Sequence, residues 1–184
     1  ANIMYSNEAT TNSLFADGTT ANSLLADGTT AAGTAYIENF RHLENLDKKI
    51  SHLDDNDSGN ALNIGKAVQR KDLDWSSDDS GYWTLNEIKP LDGNAVTLGK
   101  YCPIEPDYAL EYDGDRHRIQ NIAASGENAG LFGNVAPAEG TAISVRNLEL
   151  IDVHITGKST AGALAGSLNG VEVTNVLARN TDNV

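Results

Sequence analysis

The stretch that decides the fold contains one pattern three times: Arg118-Ile119-Gln120-Asn121-Ile122, Ser144-Val145-Arg146-Asn147-Leu148 and Glu172-Val173-Thr174-Asn175-Val176. The asparagines lie 26 residues apart (147 − 121) and then 28 residues apart (175 − 147). A repeat of this length is typical of stacked structural units, none of which can bury a hydrophobic core alone. We therefore expect a repeat protein.

Short runs of alternating residues indicate which kind of repeat this is. Ile143-Ser144-Val145, Val153-His154-Ile155 and Val171-Glu172-Val173 are rich in β-branched residues and have the two-residue period of a strand. Units built from such strands and tight turns fit the turns of a parallel β-helix, in which alternate side chains point into a narrow core. The sequence thus predicts an all-β fold, a parallel β-solenoid.

Two interpretations of the repeated asparagines are open. Asn121, Asn147 and Asn175 either form one column of amides bonded from turn to turn, or each ends a strand because asparagine tolerates the left-handed conformation. The runs 129–133 and 161–166 have glycines near both ends, where we expect positive φ. Residues 136–141 are an insertion between repeats and are predicted to form a surface loop.

One segment resembles a known repeat family. Asp113-Gly114-Asp115-Arg116-His117-Arg118-Ile119-Gln120-Asn121-Ile122 is followed by Ala129-Gly130-Leu131-Phe132-Gly133. This phrase resembles the GLUG-motif repeats of bacterial surface proteins, which read roughly D-G-x-G-H-x-I-x-N-L and then G-L-F-G, and the likeness covers about residues 62–180. Asp115-Arg116 replaces the second glycine of that motif, and Ala163-Leu164-Ala165 departs from the second G-L-x-G.

The resemblance implies a right-handed parallel β-helix in an extracellular, adhesin-like protein of the bacterial cell surface, or in the non-catalytic region of a large surface peptidase. No signal peptide is visible, and the chain begins and ends abruptly, so we expect it to be a segment of a longer protein. The motif is informative about the fold and says little about a ligand.

Composition excludes several classes of function. The net charge of −13 argues against binding to nucleic acid or to an anionic membrane surface. No apolar stretch approaches 18 residues, so no membrane insertion is predicted. The single cysteine, Cys102, cannot form an intrachain disulfide, and its neighbours Tyr101 and Pro103 favour a buried, inert thiol.

The first 35 residues are predicted to be an N-terminal repeat arm, and residues 36–184 the β-helix domain. A ten-residue repeat occupies 12–21 and 22–31, with the turn signals Asp17-Gly18 and Asp27-Gly28. The arm could form a hairpin, lie along the solenoid or act as a linker. We favour an ordered arm that contacts the fold, because its leucines and Phe15 are unusual in linkers.

One amphipathic helix is predicted at about residues 39–53. Its apolar face consists of Phe40, Leu43, Leu46, Ile50 and Leu53. Asn39 is a suitable N-cap. The open end of a solenoid exposes core and unpaired strand edges, so we expect this helix to cap the N-terminal end.

Several residues have the chemistry of sites, each beside a structural explanation. Residues 54–59 have the early spacing of a calcium loop, but the position of the bidentate glutamate is Gly65; the alternative is a polar turn. Acid–base or metal chemistry is conceivable for Asp72 and Asp74, which alternate on one face, and ordinary turn bonds are the alternative. His117 is expected to bond within a turn, and His154 to point outward.

Aromatic residues cluster in the first repeats, where they form either a sugar platform or, as we favour, part of the core: Trp75, Tyr82, Trp83, Tyr101, Tyr108 and Tyr112. We predict a non-enzymatic structural or adhesion module of a larger bacterial surface protein, with no catalytic, cofactor-binding or metal-binding residue. A host or cell-surface glycan or a protein is the expected ligand. The alternative is a carbohydrate-active β-helix that binds or cleaves polysaccharide, for which the candidates are Asp72, Asp74, Asp113, Asp115 and Arg116.

Overall fold

The structure is a computed structural model that describes residues 16, 23–24, 30–31, 33–47, 64–76 and 101–181. Thirteen β-strands and one short α-helix lie in this part of the chain. In chain order they are β1 Ser23–Leu24, β2 Thr30–Ala31, β3 Gly33–Ile37, α1 Phe40–Glu44, β4 Ile64–Gln69, β5 Leu73–Asp74, β6 Leu110–Asp113, β7 Arg118–Gln120, β8 Ala123–Ala129, β9 Phe132–Val135, β10 Ile143–Ile151, β11 His154–Ala161, β12 Ala165–Leu168 and β13 Val171–Arg179.

The strands from β3 onward wind into a parallel β-solenoid of about three turns. The first sheet contains β3, β4, β6, β10 and β13, and β5 and β7 extend it beside the second half of β10. β8 pairs with β11 in a second sheet, and β9 pairs with β12 in a third. Ile143 lies beside Val171, which follows it by one turn of 28 residues (171 − 143). The predicted all-β parallel solenoid is confirmed.

Inward side chains of successive turns stack into columns that form the core. Two columns consist of fully buried residues: Ala67, Tyr112 and Val145, and Leu73, Ile119 and Leu150. Gln69 is a buried polar residue whose amide donates to the carbonyl oxygens of Lys71 and Arg118 and whose Oε1 accepts from the Tyr112 hydroxyl at 2.8 Å. This buried amide is therefore well satisfied, as the interior requires.

The helix α1 begins where predicted but is shorter than predicted. The side chain of Asn39 accepts the backbone N–H of His42 at 2.8 Å, which makes it the N-cap. The helix ends at Glu44, so the predicted extent to residue 53 is wrong at least over residues 45–47. After Glu44, the N–H groups of Leu46 and Asp47 donate to carbonyl oxygens three residues back, as in a turn, and the Leu46 carbonyl accepts the Tyr108 hydroxyl at 2.6 Å. Residues 48–53 lie outside the described part of the chain.

The segment α1 and the turn after it cover the N-terminal end of the second and third sheets. Tyr101 and Ile104 form bridges to these sheets at Ala124 and Phe132. The next N–H groups along the chain donate to the helix segment: Cys102 to Glu44 Oε1 at 3.2 Å, and Glu105 to Asp47 Oδ1 at 2.7 Å. The side-chain oxygens of Glu44 and Asp47 thus accept two N–H groups at this edge, where no strand is paired.

The repeated asparagines occupy two columns, so the interpretation of one shared column holds for Asn147 and Asn175 and is wrong for Asn121. Asn147 and Asn175 are equivalent in the register of β10 with β13, and Asn175 Nδ2 donates to Asn147 Oδ1 at 2.9 Å. Asn121 is equivalent to Asp152, because β7 pairs with the last three residues of β10. These four residues all have positive φ, between 51° and 61°. Asn147 and Asn175 thus bond from turn to turn and lie within their strands at positive φ, whereas only Asn121 directly follows the end of a strand, β7.

Two extra residues explain the misalignment. Asp115 and Arg116 follow β6, and both have positive φ, 48° and 67°. Gly114 lies where Asn147 lies on the next turn, and a Cβ at Gly114 would be 2.5 Å from the carbonyl oxygen of Asn147. The local sequence around Asn121 resembles that around Asn147, but the chain reaches Asn121 only after this detour.

The glycines of the third sheet are required for a different reason from the one predicted. Gly130 lies beside Gly162, and Gly133 beside Gly166, but none of the four has positive φ. A Cβ at Gly130 would lie 2.7 Å from the carbonyl oxygen of Gly162. At Gly130 and Gly166 the backbones of neighbouring turns therefore approach too closely for a side chain, whereas a Cβ at Gly133 would meet the Glu105 side chain and one at Gly162 the carbonyl oxygen of Ala165.

Five residues of the predicted N-terminal arm before β3 belong to the described part of the chain, and one of them, Ala16, contacts the solenoid. Ser23 pairs with Ala31 and Leu24 with Thr30 in an antiparallel arrangement, and Asp27-Gly28 lies outside the described residues. Ala16 is buried, and its N–H donates to Tyr36 O at 2.9 Å. β3 begins at Gly33, so the first strand of the solenoid includes the last residues of the predicted arm.

Candidate functional site

The candidate residues lie mainly on the outward face of the first sheet. Asp72 and Asp74 flank the buried Leu73, so both carboxylates point away from the core. Asp72 Oδ1 accepts the backbone N–H of Arg118 at 2.9 Å and lies 3.2 Å from His117 Nδ1. The backbone N–H of His117 donates to Gly114 O at 2.8 Å within the turn that precedes β7.

Asp74 is surrounded by hydrogen-bond donors. Its Oδ1 accepts from Asn121 Nδ2 at 2.8 Å and from the backbone N–H and hydroxyl of Ser76, and its Oδ2 accepts from Gln120 Nε2 at 2.9 Å. Burial opposes ionisation, but the bonds from Asn121, Ser76 and Gln120 outweigh it and lower the pKa of Asp74 to about 2. Asp74 is therefore ionised at neutral pH.

Asp113 has a similar environment one turn later. Its Oδ1 accepts from the N–H of Asp115 and from Asn147 Nδ2, and its Oδ2 accepts from Arg146 Nε and Nη2. Burial raises the pKa of Asp113, but the hydrogen bonds from Asp115, Asn147 and Arg146 lower it by more than burial raises it. The net shift of the pKa is therefore downward. Asp115 and Arg116 are exposed in the turn that follows.

Opposite charges alternate from turn to turn on this face, a feature that the sequence analysis missed. One ladder runs from Asp72 through Arg118 and Glu149 to Arg179, with nitrogen–oxygen distances of 3.8, 3.5 and 2.5 Å. A second runs from Lys66 through Glu111 to Arg146, with distances of 3.4 and 2.6 Å. The signal was available, because Arg118, Glu149 and Arg179 alternate in sign at spacings of 31 (149 − 118) and 30 (179 − 149) residues.

These contacts limit what the carboxylates can do chemically. General acid catalysis needs a carboxyl that stays protonated near the working pH. Asp74 and Asp113 have lowered pKa values and are bonded to the adjacent turn, so they are poorly suited to donate a proton. Their geometry is suited to holding one turn against the next.

The predicted burial of Cys102 is wrong, whereas the predicted outward orientation of His154 is confirmed. Cys102 is exposed, because Tyr101 and Ile104 on either side occupy the inward positions. His154 is exposed at the start of β11 and pairs with Ala123 of β8.

The described aromatic residues belong to the core rather than to a sugar platform. Tyr101 and Tyr112 are fully buried, and the Tyr101 hydroxyl donates to Leu131 O at 2.9 Å. Trp75 packs edge to face on Phe40 and Tyr101, with ring centroids 4.9 and 5.9 Å away. The prediction of core packing is confirmed for these residues; Tyr82 and Trp83 lie outside the described residues.

The metal and membrane predictions concern clusters of ligating side chains and long apolar helices. Among the described residues, no three His, Cys, Asp or Glu side chains form a group that could hold a metal ion. The candidate calcium loop at 54–59 lies outside them. Within the same residues, no helix is long and apolar enough to cross a membrane.

Comparison of the chain with protein-family models, curated proteins and solved structures gave no match. The resemblance to GLUG-motif repeats therefore stays a prediction that stands on the residues alone.

Proposed function

We propose that this chain is a non-enzymatic structural module that holds a binding surface for a glycan or protein ligand, as part of an extracellular bacterial surface protein. One observation carries the non-enzymatic part of the proposal. Asp72, Asp74 and Asp113, the carboxylates best placed for chemistry, are each bonded to residues of an adjacent turn. The adhesion and surface parts rest on the sequence resemblance.

Two exposed regions are available for recognition. The loop of residues 136–141 projects between β9 and β10 and contains Gly140 at φ 85°. The outward side of β8 and β11 presents small polar groups in rows, among them Asn128, whose Oδ1 accepts from Thr160 Oγ1 at 2.8 Å. Strands in such rows lie about 4.8 Å apart, a spacing that suits repeated hydrogen bonds to an extended polymer.

An activity assay tests the non-enzymatic part. The purified chain is incubated with a panel of polysaccharides, and released reducing sugar is measured for wild type, Asp113→Ala and the exposed-loop control Glu139→Ala. We expect no release by any of the three. Release by wild type and Glu139→Ala that is lost in Asp113→Ala would establish the carbohydrate-cleaving alternative instead.

A binding assay tests the other part. Labelled protein is applied to arrays of glycans and of extracellular proteins, and retention is compared with that of a variant whose residues 136–142 are shortened to Asn-Gly, the connection used one turn later. Retention that the shortened variant loses supports a binding module with this loop as its contact. No retention on either array, at any protein concentration in the soluble range, contradicts it.

A further inference from the structure

The connection between β12 and β13 contains Asn169-Gly170, the single Asn-Gly step of the sequence. Both residues are exposed. Gly170 has φ 69°, and nothing lies within 4 Å of a Cβ built at this position. A glycine after asparagine leaves the side-chain amide open to the following backbone nitrogen, because no side chain shields the approach. The surroundings of Asn169 are thus sterically open.

The side-chain amide of Asn169 and the N–H of Gly170 also make no hydrogen bond within the described residues. The backbone N–H of Asn169 donates to Val135 O at 2.9 Å. Within residues 101–181, by contrast, no hydrogen bond involves the Asn169 side chain or the Gly170 N–H. The Asp113-Gly114 step differs on both counts: Asp113 accepts from Asn147, and the Gly114 N–H donates to the next turn at 2.8 Å.

We propose that Asn169 is a site of spontaneous deamidation. The Gly170 nitrogen forms a bond to Asn169 Cγ, the bond from Cγ to the side-chain nitrogen breaks, and that nitrogen leaves as ammonia with the proton from the Gly170 N–H. The resulting succinimide ring takes up one water molecule and opens at either carbonyl, which gives aspartate or isoaspartate. The reaction consumes only water.

The product has a structural consequence at the start of β13. Isoaspartate routes the main chain through the former side chain and adds a methylene to it, one residue before Gly170. The pair Val171–Ile143, which begins the contact of β13 with β10, follows directly. We therefore expect the amides at the start of β13 to exchange with solvent faster in the isoaspartate form.

The test is an ageing experiment on the folded protein. Samples are kept at body temperature at neutral and at mildly acidic pH, and peptide mapping by mass spectrometry follows each asparagine. An isoaspartate-specific methyltransferase assay identifies the product. A synthetic peptide of residues 165–175 gives the rate for the same sequence without the fold, and Asn169→Gln is the control protein.

We expect Asn169 to lose its amide while Asn147 and Asn175 keep theirs, with isoaspartate among the products and a faster loss at the higher pH, because attack needs a deprotonated nitrogen. Asn169→Gln should form no isoaspartate at this position. Either of two results would overturn the proposal: an intact Asn169 in the protein when the peptide has converted, or aspartate as the sole product, which indicates direct hydrolysis.

Discussion

At the repeated polar positions of the first sheet, amide side chains join the turns through hydrogen bonds whose acceptor lies on the earlier turn. Asn175 donates to Asn147, Asn147 donates to Asp113, and Asn121 donates to Asp74. An amide both donates and accepts, whereas an ionised aspartate only accepts. A chain of such bonds therefore ends on a carboxylate, and this explains why the two aspartates lie on earlier turns than the amides bonded to them.

Asp74→Asn tests the contribution of one such carboxylate. At neutral pH we expect a loss of about 1 kcal/mol in the free energy of unfolding, because the new amide nitrogen faces the donor of Gln120. The pKa of Asp74 is lowered from 3.8 to about 2, so its ionised form stabilises the fold above pH 3.8, and this contribution is lost as pH falls through about 2.

The melting temperature should consequently fall less steeply in Asp74→Asn than in wild type over that acidic window. Glu139→Gln, in the exposed loop, serves as a control that should follow wild type. Equal slopes for Asp74→Asn and wild type would show that Asp74 does not have a lowered pKa.

Glu44 gives a prediction of the opposite sign. Burial raises its pKa from 4.5 to about 8; the N–H of Cys102 opposes the shift and Asp47 adds to it. The folded state thus prefers protonated Glu44, and stability should decline as pH rises from 4.5 to about 8. Glu44→Gln keeps an acceptor for Cys102 and removes the titrating group, so its melting temperature should decline less over this range. A wild-type curve no steeper than that of the variant would contradict this.

Elements of the solenoid are positioned by how closely their backbones approach. In the third sheet the residues around Gly130 and Gly162 leave no room for a Cβ, whereas Gly126 in β8 has its nearest atom 4.0 Å from such a Cβ. Neither Gly130 nor Gly126 has positive φ. The same substitution at the two positions therefore isolates backbone crowding from backbone conformation.

Gly130→Ala should destabilise the protein by about 1–3 kcal/mol, because the added methyl group would contact backbone atoms that cannot move independently. Gly126→Ala should have little effect or stabilise slightly, since it restricts the unfolded chain. Urea unfolding monitored by circular dichroism measures both. Equal free energies for the two variants would contradict the packing of the third sheet described above.

The sequence predicted the elements better than their register. Alternation and repeat length were enough for the parallel solenoid, because both follow directly from side chains that point alternately into the core. The position of Asn121 was not predictable from its local motif, because Asp115 and Arg116 shift the chain by a detour that resembles an ordinary turn in sequence.

The candidate site was predicted as residue types but not as contacts. The sequence identified Asp74 and Asp113 as candidate site residues. Their hydrogen-bond donors Asn121 and Arg146 lie on the following turn, and only the strand register shows that they are close to the aspartates. The length of α1 was misjudged for a related reason: the residues after Glu44 make contacts with distant parts of the chain, among them the bond from the Tyr108 hydroxyl to Leu46 O, 62 residues away in sequence.

At the scale of the whole molecule, the solenoid has one end covered by its own chain. Phe40 and Leu43 of α1, and Leu46 just after it, are fully buried in the core of the first turns. The described strands show no comparable cover beside β13, where Val173, an inward residue by its pairing with Val145, is 42% exposed. Disruption of the cover at the N-terminal end should therefore lower the stability of the whole solenoid and expose its core.

Leu43→Asp should lower the free energy of unfolding by at least about 3 kcal/mol, because a charge replaces a buried leucine. We also expect aggregation, as core and strand edges become accessible. Leu177→Asp is the matched control, since Leu177 is 55% exposed on the last strand. Thermal unfolding and size-exclusion chromatography distinguish the two. A monomeric Leu43→Asp with an unchanged melting temperature would rule out the capping role of α1.

The loop between β9 and β10 has a practical implication. The chain uses seven residues there, 136–142, and only two, 169–170, at the equivalent crossing one turn later. The strands on both sides nevertheless stay in register. The length of this loop thus does not affect the register of the solenoid strands. Foreign peptides could therefore be grafted between Pro137 and Gly140 for display without changes elsewhere in the chain.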